Sequence, residues 1–349
     1  MRVAMLVQKV DERDWLMSFT LKWIRALAAR VDRVDVIALE QRQADLPTNV
    51  FVQSMGKERG YGRAGELLAF YRALIGIVRD VDVLFSHMTP RYVLISAPLA
   101  ILFRKPQVLW FTHRQTSLEL RLATALSRYV VSAVPESFPL PTPKLRALGH
   151  GIDTDFYAPD PTCVPDNPPL IVYVARLMPI KRQDALLRAV GTGIEARVAL
   201  VGDVPVGHDA SYPDTLKVLA RDLGIEDRVM FTGGLLSEAV RDLLRRATLA
   251  VNLSPPGLFD KAALESMLVG VPTLVSNPAF NGLLGEHVSR LSVADPNDTQ
   301  ALADRLRALL ALPAGERQRM AADIRERVGA AHSLDGLMDK LAALMASLK

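Results

Sequence analysis

The chain has 349 residues, half of them hydrophobic, which is enough for two domains of ordinary size with cores of their own. Its single cysteine, Cys163, excludes an internal disulfide and fits a reducing compartment. The longest apolar run, residues 92–103, is too short to span a bilayer, and charged residues interrupt the amino-terminal apolar stretch too early for a signal peptide. We therefore expect a soluble or peripheral protein of the cytoplasm, with contact at the inner face of the membrane as an option.

Charge is divided unevenly along the chain. Residues 1–150 carry an excess of Lys and Arg over Asp and Glu, whereas residues 151–349 carry a small excess of acidic side chains. A basic half attracts nucleic acid, an anionic membrane surface or a phosphorylated substrate. The sequence has no zinc-ligand spacing, no aromatic strand signature and no dense basic run. We therefore expect no nucleic acid, and favour a phosphorylated substrate or a lipid headgroup.

The first half alternates short β-rich runs with amphipathic helical patterns, which predicts a parallel sheet with crossover helices. Strands are predicted at residues 2–7, 34–38, 50–53, 82–86, 107–112 and 129–132. Helical patterns such as 18–29 and 64–78 lie between them. The apolar segment 92–105, flanked by Arg and Lys, is interpreted as a buried helix in preference to a membrane contact.

Polar residues follow several of these strands, and the carboxyl ends of parallel strands are where such sheets bind ligands. His87 and His113 each end a strand, and an imidazole there can hydrogen-bond an acceptor, a sugar or a phosphate. A histidine held by backbone groups in a loop is an equally good interpretation. Lys9 lies in a charged loop, residues 8–15, and His150 lies just before the boundary with the second half.

A run of prolines within residues 157–169 predicts a stiff linker. After it the alternation restarts, with strands at 170–175, 196–201, 228–231 and 249–253 and helices at 183–190, 214–223 and 237–246. This predicts an α/β protein of two doubly wound, Rossmann-like parallel-sheet domains facing a cleft. The expected division is a first domain at 1–158, a linker at 159–169, a second domain at 170–330, and a C-terminal helix within 331–349 that packs back on the first domain.

Small and basic residues follow the strands of the second half. Arg176 and Lys181 come after strand 170–175 and can bracket a diphosphate, Arg as a fork and Lys as a point charge. Gly202-Asp203 and Thr232-Gly233 end the next two strands in turns where the backbone can approach a ligand. Taken alone, Arg176 and Lys181 are equally well explained as a solvated basic loop.

The segment from Gly257 to Pro272 is the most informative part of the chain. It follows a strand and predicts a helix whose N terminus, near Gly257, presents unpaired N–H groups and a positive dipole to an anion. Glu265 lies about two turns into this helix, so we expect its carboxylate to be available for another role. An ordinary surface glutamate on a glycine-capped helix is the plain alternative.

Together these landmarks resemble those of the retaining glycosyltransferases of family 4, the glycosyl transferases group 1. Members of that family have the GT-B fold. The resemblance covers nearly the whole chain and is strongest over residues 149–278. It rests on the segment from Gly257 to Pro272, on strand-Ala-Arg-Leu followed by Lys181, and on the Val-Gly-Asp, Phe-Thr-Gly and Gly-Ile-Asp turns. The chain departs from the family pattern in three places: Ala175 stands where the family has a glycine, Gly257 stands where it has its first signature glutamate, and the first loop is charged instead of glycine-rich.

The resemblance implies roles for individual residues. It assigns the donor diphosphate to Arg176 and Lys181 and the transferred sugar to His113, which together form the expected catalytic set. Glu265 would hold the ribose hydroxyls, and Asp260 is a candidate to replace the carboxylate missing at Gly257. The full expected donor set is Gly202, Asp203, Thr232, Gly233, Gly257, Leu258, Phe259, Asp260 and Glu265. The expected acceptor set is His87, Lys9 and His150.

The resemblance also implies a reaction without a metal ion or another cofactor. Asp153-Thr154-Asp155 has the spacing that holds a divalent metal in the other main glycosyltransferase fold, but it lies in the turn before the linker and is interpreted as structural. The departing phosphate oxygens can deprotonate the incoming hydroxyl on the same face of the sugar. No protein nucleophile is then required, and the sequence shows no obvious nucleophile–base pair.

The sequence therefore predicts an enzyme, a retaining hexosyl- or other glycosyltransferase that uses a nucleotide-diphosphate sugar, such as a UDP or GDP sugar. The acceptor is expected to be a sugar, a lipid-linked molecule or a small molecule, in glycan, glycolipid or secondary-metabolite synthesis. Two alternatives stay open: a nucleotide-sugar epimerase on the same fold, and a non-catalytic nucleotide-sugar-binding partner subunit. The sequence does not determine the nucleotide, the sugar, the acceptor, the linkage or the oligomeric state.

Overall fold

The computed structural model of the chain describes residues 1–14, 19–205 and 207–348. It divides into two compact units, of which unit 1 comprises Met1–Asp153 with His332–Lys349 and unit 2 comprises Thr154–Ala331. The sequence predicts the boundary after residue 158 and a separate linker at 159–169. In the structure residues 159–169 belong to unit 2, where the Asp166 carboxylate is ion-paired with Arg197 and Arg246.

In chain order the strands are β1 Arg2–Val10, β2 Arg33–Gln41, β3 Val50–Ser54, β4 Val83–His87, β5 Gln107–Trp110, β6 Tyr129–Ser132, β7 Leu145–Ala147, β8 Leu170–Val174, β9 Arg197–Val201, β10 Val229–Gly233, β11 Leu249–Asn252 and β12 Thr273–Val275. The helices are α1 Phe19–Ala28, α2 Arg63–Ile77, α3 Pro90–Leu102, α4 Leu118–Leu126, α5 Gln183–Val190, α6 Tyr212–Asp222, α7 Ser237–Arg245, α8 Lys261–Val269, α9 Asn281–Leu284, α10 Val288–Leu291, α11 Thr299–Leu310, α12 Ala314–His332 and α13 Leu334–Ala346.

Unit 1 is built on a seven-stranded parallel sheet in the order β3-β2-β1-β4-β5-β6-β7. Its central strands are buried on both faces, which is why they read as nearly continuous hydrophobic runs. On one face Leu6 and Leu84 pack against Phe70 of α2 and Tyr92 of α3, and α4 continues this helical layer next to α3. On the other face Trp110 contacts Trp23 of α1.

The C-terminal residues complete unit 1. Helix α13 packs against α1, and the Arg30 guanidinium donates to the carboxylates of Asp335 at 2.8 Å and Asp339 at 2.6 Å. Gly151 has a φ of 77°, and a Cβ there would lie 2.6 Å from the side chain of Leu337. The close approach of these two segments therefore needs a glycine at this position.

The structure departs from the predicted elements of unit 1 in two places. β1 runs to Val10, because Lys9 and Val10 still pair with β2, so Lys9 lies in a strand and not in a loop. β7 was not predicted, since three residues are too few to show a periodic pattern. Trp15 in the predicted first loop and Ser18 at the predicted start of the first helix lie outside the described residues.

Unit 2 is built on a five-stranded parallel sheet in the order β10-β9-β8-β11-β12. The predicted helix 183–190 is α5, and the remaining predicted strands and helices differ from the observed ones only at their ends. Helix α8, which follows β11, is buried from Ala263 to Val269. That burial accounts for the apolar run that surrounds Glu265 in the sequence.

No helix in the described part of the chain combines the length and the apolar character needed to cross a bilayer. The predicted apolar helix at 92–105 is α3, whose residues Tyr92, Val93 and Ala97 are buried against the sheet. Ile101 and Leu102 at its end are exposed. The prediction of a buried helix is therefore correct for the body of α3 and wrong for its last turn.

Candidate functional site

Four strand ends of unit 2 define the edge at which the predicted donor-binding residues collect. Strands β10, β9, β8 and β11 are parallel neighbours, so their carboxyl ends lie along the same edge of the sheet. The loops that leave these ends carry Thr232-Gly233, Gly202-Asp203, residues 176–181 and residues 257–260. The structure therefore brings these predicted residues to one sheet edge.

Gly202 is the tightest point of this edge. Its φ of 139° is in a region that favours glycine, and a Cβ there would lie 2.1 Å from the carbonyl oxygen of Ala175. Its N–H donates to the carbonyl of Gly233 at 2.9 Å, and the N–H of Leu177 donates to the carbonyl of Asp203 at 3.1 Å. These bonds tie three loops into one close-packed backbone surface.

The side chains of Asp203 and Thr232 are used locally. A carboxylate oxygen of Asp203 accepts the N–H of Val204 at 2.8 Å, and the hydroxyl of Thr232 donates to the carbonyl of Gly233 at 2.8 Å. Neither side chain is buried. Their role in donor binding stays a prediction.

Arg176 is an accessible cation at this edge. The side-chain amide of Gln183, at the start of α5, donates to the carbonyl oxygen of Arg176 at 3.0 Å and holds its backbone. Within residues 1–14, 19–205 and 207–348, the partly exposed guanidinium makes no hydrogen bond and no ion pair. Its five N–H donors are therefore available to phosphate oxygens.

Lys181 lies in a buried polar cluster at the same edge. The residue is 3% exposed, and its Nζ lies 2.7 and 2.6 Å from the two carboxylate oxygens of Asp260 and 3.1 Å from Oγ of Ser254. Asp260 also accepts bonds from Nδ2 of Asn252 at 3.0 Å and from the hydroxyl of Ser254. The hydroxyl of Tyr173 donates to the carbonyl of Lys181 and fixes the turn that carries it.

This cluster determines the charge of its members. Burial opposes ionisation of Asp260, but the charge of Lys181 and the surrounding hydrogen bonds outweigh it, so the pKa of Asp260 lies below its ordinary value. An ammonium has three N–H donors, and Asp260 and Ser254 occupy all of them. Lys181 is therefore not the accessible point charge that the sequence suggests, and it must exchange one of these bonds to reach a phosphate.

Glu265 is also engaged. Helix α8 begins at Lys261 and not near Gly257, so Glu265 lies just past the first turn of the helix. Its largely buried carboxylate forms an ion pair of 2.6 Å with Lys261, which the i,i+4 spacing places on the same helix face. The expectation that the Glu265 carboxylate is available for another role is therefore wrong for this structure.

Residues 257–259 form a turn ahead of α8. Gly257 has a φ of 84°, and the N–H of Leu258 donates to the carbonyl of Pro255 at 3.2 Å. The buried ring of Phe259 stacks on Phe280, with ring centroids 4.4 Å apart. Leu258 and Phe259 therefore shape the turn, and the N–H of Leu258 is already used within it.

Lys9, one of the predicted acceptor residues of unit 1, is surrounded by carboxylates. Its Nζ lies 2.7 Å from Asp14, 3.3 Å from Asp11 and 3.5 Å from Glu40. Burial opposes its charge, but these carboxylates outweigh the burial and hold the pKa of Lys9 above its ordinary value. Lys9 is thus held in ion pairs by neighbouring carboxylates, and its role as an acceptor ligand stays a prediction.

His87 is a core residue of unit 1. It is 1% exposed and packs against the rings of Phe19, Trp23 and Phe85, with the Trp23 centroid 4.7 Å away. In the described part of the chain neither ring nitrogen of His87 has a hydrogen-bond partner, and burial lowers its pKa to about 3. Because α1 covers this imidazole, the structure contradicts the prediction that His87 faces an acceptor.

The other two predicted histidines are more accessible. His113 lies in the exposed loop after β5, with its ring in edge contact with Phe111 at 5.7 Å. His150 is partly exposed, and its backbone N–H donates to Nδ1 of His332 at 3.2 Å. The sugar contact predicted for His113 and the acceptor contact predicted for His150 stay predictions.

A cavity of about 530 Å³ in unit 1 has polar lining residues that the sequence analysis missed. Gln8 of β1 donates to Thr89 at 3.1 Å on one side, and Arg91 is paired with Glu119 at 2.9 Å. Arg63 at the start of α2 also lines the cavity, and no residue described by the structure pairs with its guanidinium. The available signal was Thr89-Pro90, because a proline at the first helical position marks a helix N terminus.

Two acidic groupings bear on the expected absence of a metal. Asp153 of the Asp-x-Asp sequence is ion-paired with Lys22 at 3.0 Å. Glu286, His287 and Asp323 offer ligand atoms within 4.8 Å of one another, and His287 Nε2 lies 3.1 Å from the Asp323 carboxylate. Metal-independent activity stays a prediction.

The second unit matches a known family. The sequence profile described as Glycosyl transferases group 1 matches residues 159–327. Just under half of the chain therefore matches the glycosyl transferases group 1. The match covers nearly all of unit 2, including Arg176, Lys181 and Glu265, and it confirms the family resemblance predicted from the sequence landmarks.

Two curated members resemble the chain over part of their lengths. The D-inositol 3-phosphate glycosyltransferase of Mycolicibacterium smegmatis is 28% identical over 216 residues, which is 59% of this chain and 49% of that protein. The GDP-mannose-dependent alpha-(1-6)-phosphatidylinositol monomannoside mannosyltransferase of Mycobacterium tuberculosis is 31% identical over 237 residues, 63% of this chain and 60% of that protein. The chain thus spans between half and two thirds of the length of these relatives.

Solved structures match nearly the entire chain. Anabaena Alr3699/HepE, solved in complex with UDP and glucose, has a TM-score of 0.76 at 18% identity, and the match covers 99% of this chain and 100% of that one. Sucrose-phosphate synthase from Thermosynechococcus elongatus also has a TM-score of 0.76 at 18% identity, with coverage of 99% and 98%. At these identities the likeness shows the fold, and it confirms the predicted GT-B class of two parallel α/β sheets.

Proposed function

We propose that this protein is a retaining glycosyltransferase, which moves a sugar from a nucleoside-diphosphate sugar to an acceptor hydroxyl. The observation that carries the proposal is the family match over residues 159–327, which includes the sheet edge with Arg176 and the cluster of Lys181 and Asp260. The same edge has a close-packed backbone at Gly202, where three loops meet. We expect the nucleotide to bind there.

In the proposed reaction the bond between the sugar and the diphosphate breaks while the acceptor oxygen bonds to the same face of the sugar. Negative charge develops on the leaving diphosphate, and Arg176 stabilises it directly. Lys181 adds to this stabilisation by exchanging its bond to Ser254 for one to a phosphate oxygen. A phosphate oxygen of the leaving group takes the proton of the acceptor hydroxyl, so the protein supplies neither nucleophile nor metal.

We expect Arg176→Ala to weaken nucleoside-diphosphate binding at least tenfold, or about 1.4 kcal/mol, because it removes an unpaired guanidinium at the donor edge. Isothermal titration calorimetry with UDP, GDP, ADP and TDP, without added metal, measures this loss and identifies the nucleotide. Arg188→Ala is the matched control, since Arg188 is exposed further along α5. Failure of wild-type protein to bind any of the four nucleotides, with or without Mg²⁺, would overturn the transferase proposal.

The cavity of unit 1 is the acceptor site in this proposal. Its lining includes Glu66 and the ion pair of Arg91 with Glu119, and it also includes Arg63, whose guanidinium has no partner among the described residues. Arg63 suits an acceptor that carries a phosphate near the reacting hydroxyl. The names of the two relatives refer to inositol phosphate and phosphatidylinositol, which makes inositol 3-phosphate the first acceptor to test. The reducing compartment expected from the single cysteine and the basic first half support a cytoplasmic enzyme that meets a lipid-linked acceptor at an anionic membrane surface.

With a phosphorylated acceptor, Arg63→Ala should raise the acceptor KM about tenfold, because one charge-assisted phosphate contact is lost. Nucleotide affinity should stay at the wild-type value, since Arg63 belongs to unit 1 and the proposed nucleotide edge to unit 2. Steady-state kinetics with inositol 3-phosphate measure the effect, and Lys57→Ala, an exposed cation outside the cavity, is the control. An unchanged KM in Arg63→Ala would exclude this cavity as the site of the acceptor phosphate.

A further inference from the structure

Unit 1 carries apolar side chains that stay exposed among the residues that the structure describes. Helices α2, α3 and α4 lie side by side over one face of the sheet. On the outer side of this layer, Leu68 is 73% exposed, Ile101 is 67% exposed and Leu102 is 71% exposed. The apolar–basic face, as we call it, also includes the exposed side chains Ile75, Leu118, Leu122 and Leu126.

This concentration of exposed aliphatic side chains distinguishes the face from the rest of the protein. In unit 2 the exposed large apolar side chains are Val164, Ile180, Val218, Met230 and Leu236, which come from different elements. Scattered exposed apolar residues are normal, whereas a contiguous apolar patch marks an interaction surface. Leu68 and Ile75 are seven residues apart on α2, so they lie on the same side of that helix.

Cations accompany the aliphatic side chains. Arg72 lies between Leu68 and Ile75 along α2, Arg104 follows Leu102, and Arg121 precedes Leu122. All three are exposed, and within the described residues none of their guanidinium groups has a hydrogen-bonding or ion-pair partner. Arg79 at the end of α2 covers the ring of Phe103 at 5.4 Å, which brings the ends of α2 and α3 together.

Few acidic side chains oppose these cations. Glu119 on α4 is already paired with Arg91, and Glu66 lines the cavity of unit 1. Asp80 and Asp82 follow α2, and the Asp82 carboxylate accepts the backbone N–H of Arg2 at 2.7 Å. The face therefore combines aliphatic area with a net positive charge, which is complementary to the headgroups and acyl boundary of an anionic bilayer.

We propose that the apolar–basic face of α2, α3 and α4 docks the protein on an anionic lipid bilayer. Ile101 and Leu102 enter the acyl boundary, while Arg72, Arg104 and Arg121 contact lipid phosphates. This inference rests on the proposed function, because that function includes an acceptor linked to a membrane. Docking involves no bilayer-spanning segment, in agreement with the absence of such a helix from the described residues.

Vesicle flotation of the full chain tests the proposal. We expect binding to phosphatidylcholine vesicles that contain a third phosphatidylglycerol, little binding to pure phosphatidylcholine, and a decline as salt is raised. The double variant Ile101→Ser/Leu102→Ser should reduce partitioning at least tenfold, and Arg72→Gln/Arg104→Gln should reduce it at low salt. The control Met230→Ser/Leu236→Ser replaces two exposed apolar residues of unit 2 and should bind like wild type.

Three results would overturn the proposal: no binding of wild type to anionic vesicles, equal binding to neutral vesicles, or undiminished binding of Ile101→Ser/Leu102→Ser. If wild type instead self-associates in analytical ultracentrifugation, and this variant is monomeric without any vesicle binding, the face is an interface between copies of the chain. Nucleotide titration of the same variants separates the two proposals. Vesicle binding without nucleotide binding contradicts the transferase proposal, and the reverse result contradicts the docking surface.

Discussion

Asp260→Ala is expected to lower the free energy of unfolding by about 3 kcal/mol, because it leaves the ammonium of Lys181 buried without its carboxylate. Asp260 is itself 22% exposed, which places the effect at the lower end of the range for broken buried ion pairs. Urea denaturation of the full chain followed by far-ultraviolet circular dichroism measures the loss. Asp260→Asn, which retains a hydrogen-bond acceptor for Lys181, should cost less.

The matched control is Asp214→Ala, which removes an exposed carboxylate from the ion pair with Lys217 on α6. Because both partners of that pair are exposed, this change should cost less than about 0.5 kcal/mol. In the double variant Lys181→Met/Asp260→Ala the total loss should be smaller than the sum of the two single losses. An Asp260→Ala variant as stable as Asp214→Ala would show that the buried pair does not contribute to folding.

The second large effect is acid destabilisation of unit 1 between about pH 6.5 and pH 4.5. Burial lowers the pKa of His87 to about 3; burial, together with the charges of His150 and Lys340, lowers the pKa of His332 to about 4. Both histidines stay neutral in the folded protein in this range, while in the unfolded chain they bind protons below about pH 6.5. The free energy of unfolding is therefore unaffected by these histidines above about pH 6.5. Below that pH it falls by about 1.4 kcal/mol per pH unit for each histidine.

Tryptophan fluorescence isolates this effect, because all three tryptophans lie in the sequence of unit 1 and Trp23 contacts His87. Urea denaturation at a series of pH values gives the slope of the unfolding free energy against pH. We expect His87→Phe to reduce this slope by about half. His332→Gln, which keeps an acceptor for the backbone N–H of His150, should act similarly. His208→Gln, at an exposed histidine of unit 2, should leave the slope unchanged, and equal slopes in all four proteins would rule out the buried histidines as its cause.

The architecture could be predicted because buried strands and helices are recognisable from the hydrophobic residues in their own sequence. The residues of β8 and the buried residues 3–7 of β1 are hydrophobic throughout, as is expected of strands that are covered on both faces. This was enough for the parallel α/β class and for most of the strands. β7 was not predicted, because it is a short edge strand whose few residues show no hydrophobic pattern.

The candidate site was predictable in its location and not in its internal bonds. Parallel topology places Arg176, Gly202 and residues 257–260 at one sheet edge, and the order of these motifs along the chain indicates the family. The pairing of Lys181 with Asp260 joins residues 79 positions apart, and both look like solvated loop residues in the sequence. A buried salt bridge of this kind leaves no local signature.

The two strand-end histidines of unit 1 also show a difference that the sequence does not predict. His87 and His113 both follow hydrophobic strands and have equal claims to a ligand role in the sequence. The structure buries His87 under Trp23 of α1 and leaves His113 exposed. Which of them a helix covers depends on how α1 crosses the sheet, and this is a property of packing between distant segments.

The sequence by itself determined the fold class, the family resemblance and the sheet edge of the candidate site, because hydrophobic periodicity, turn residues and motif order are local properties of the chain. Only the tertiary structure decided which charges are available, with Arg176 unpaired in the described part of the chain and Lys181, Glu265 and Lys9 held in ion pairs. It also decided that the aliphatic residues of α2, α3 and α4 share one outer surface. Ion pairs and surfaces depend on distances between residues far apart in sequence, which composition and periodicity do not encode.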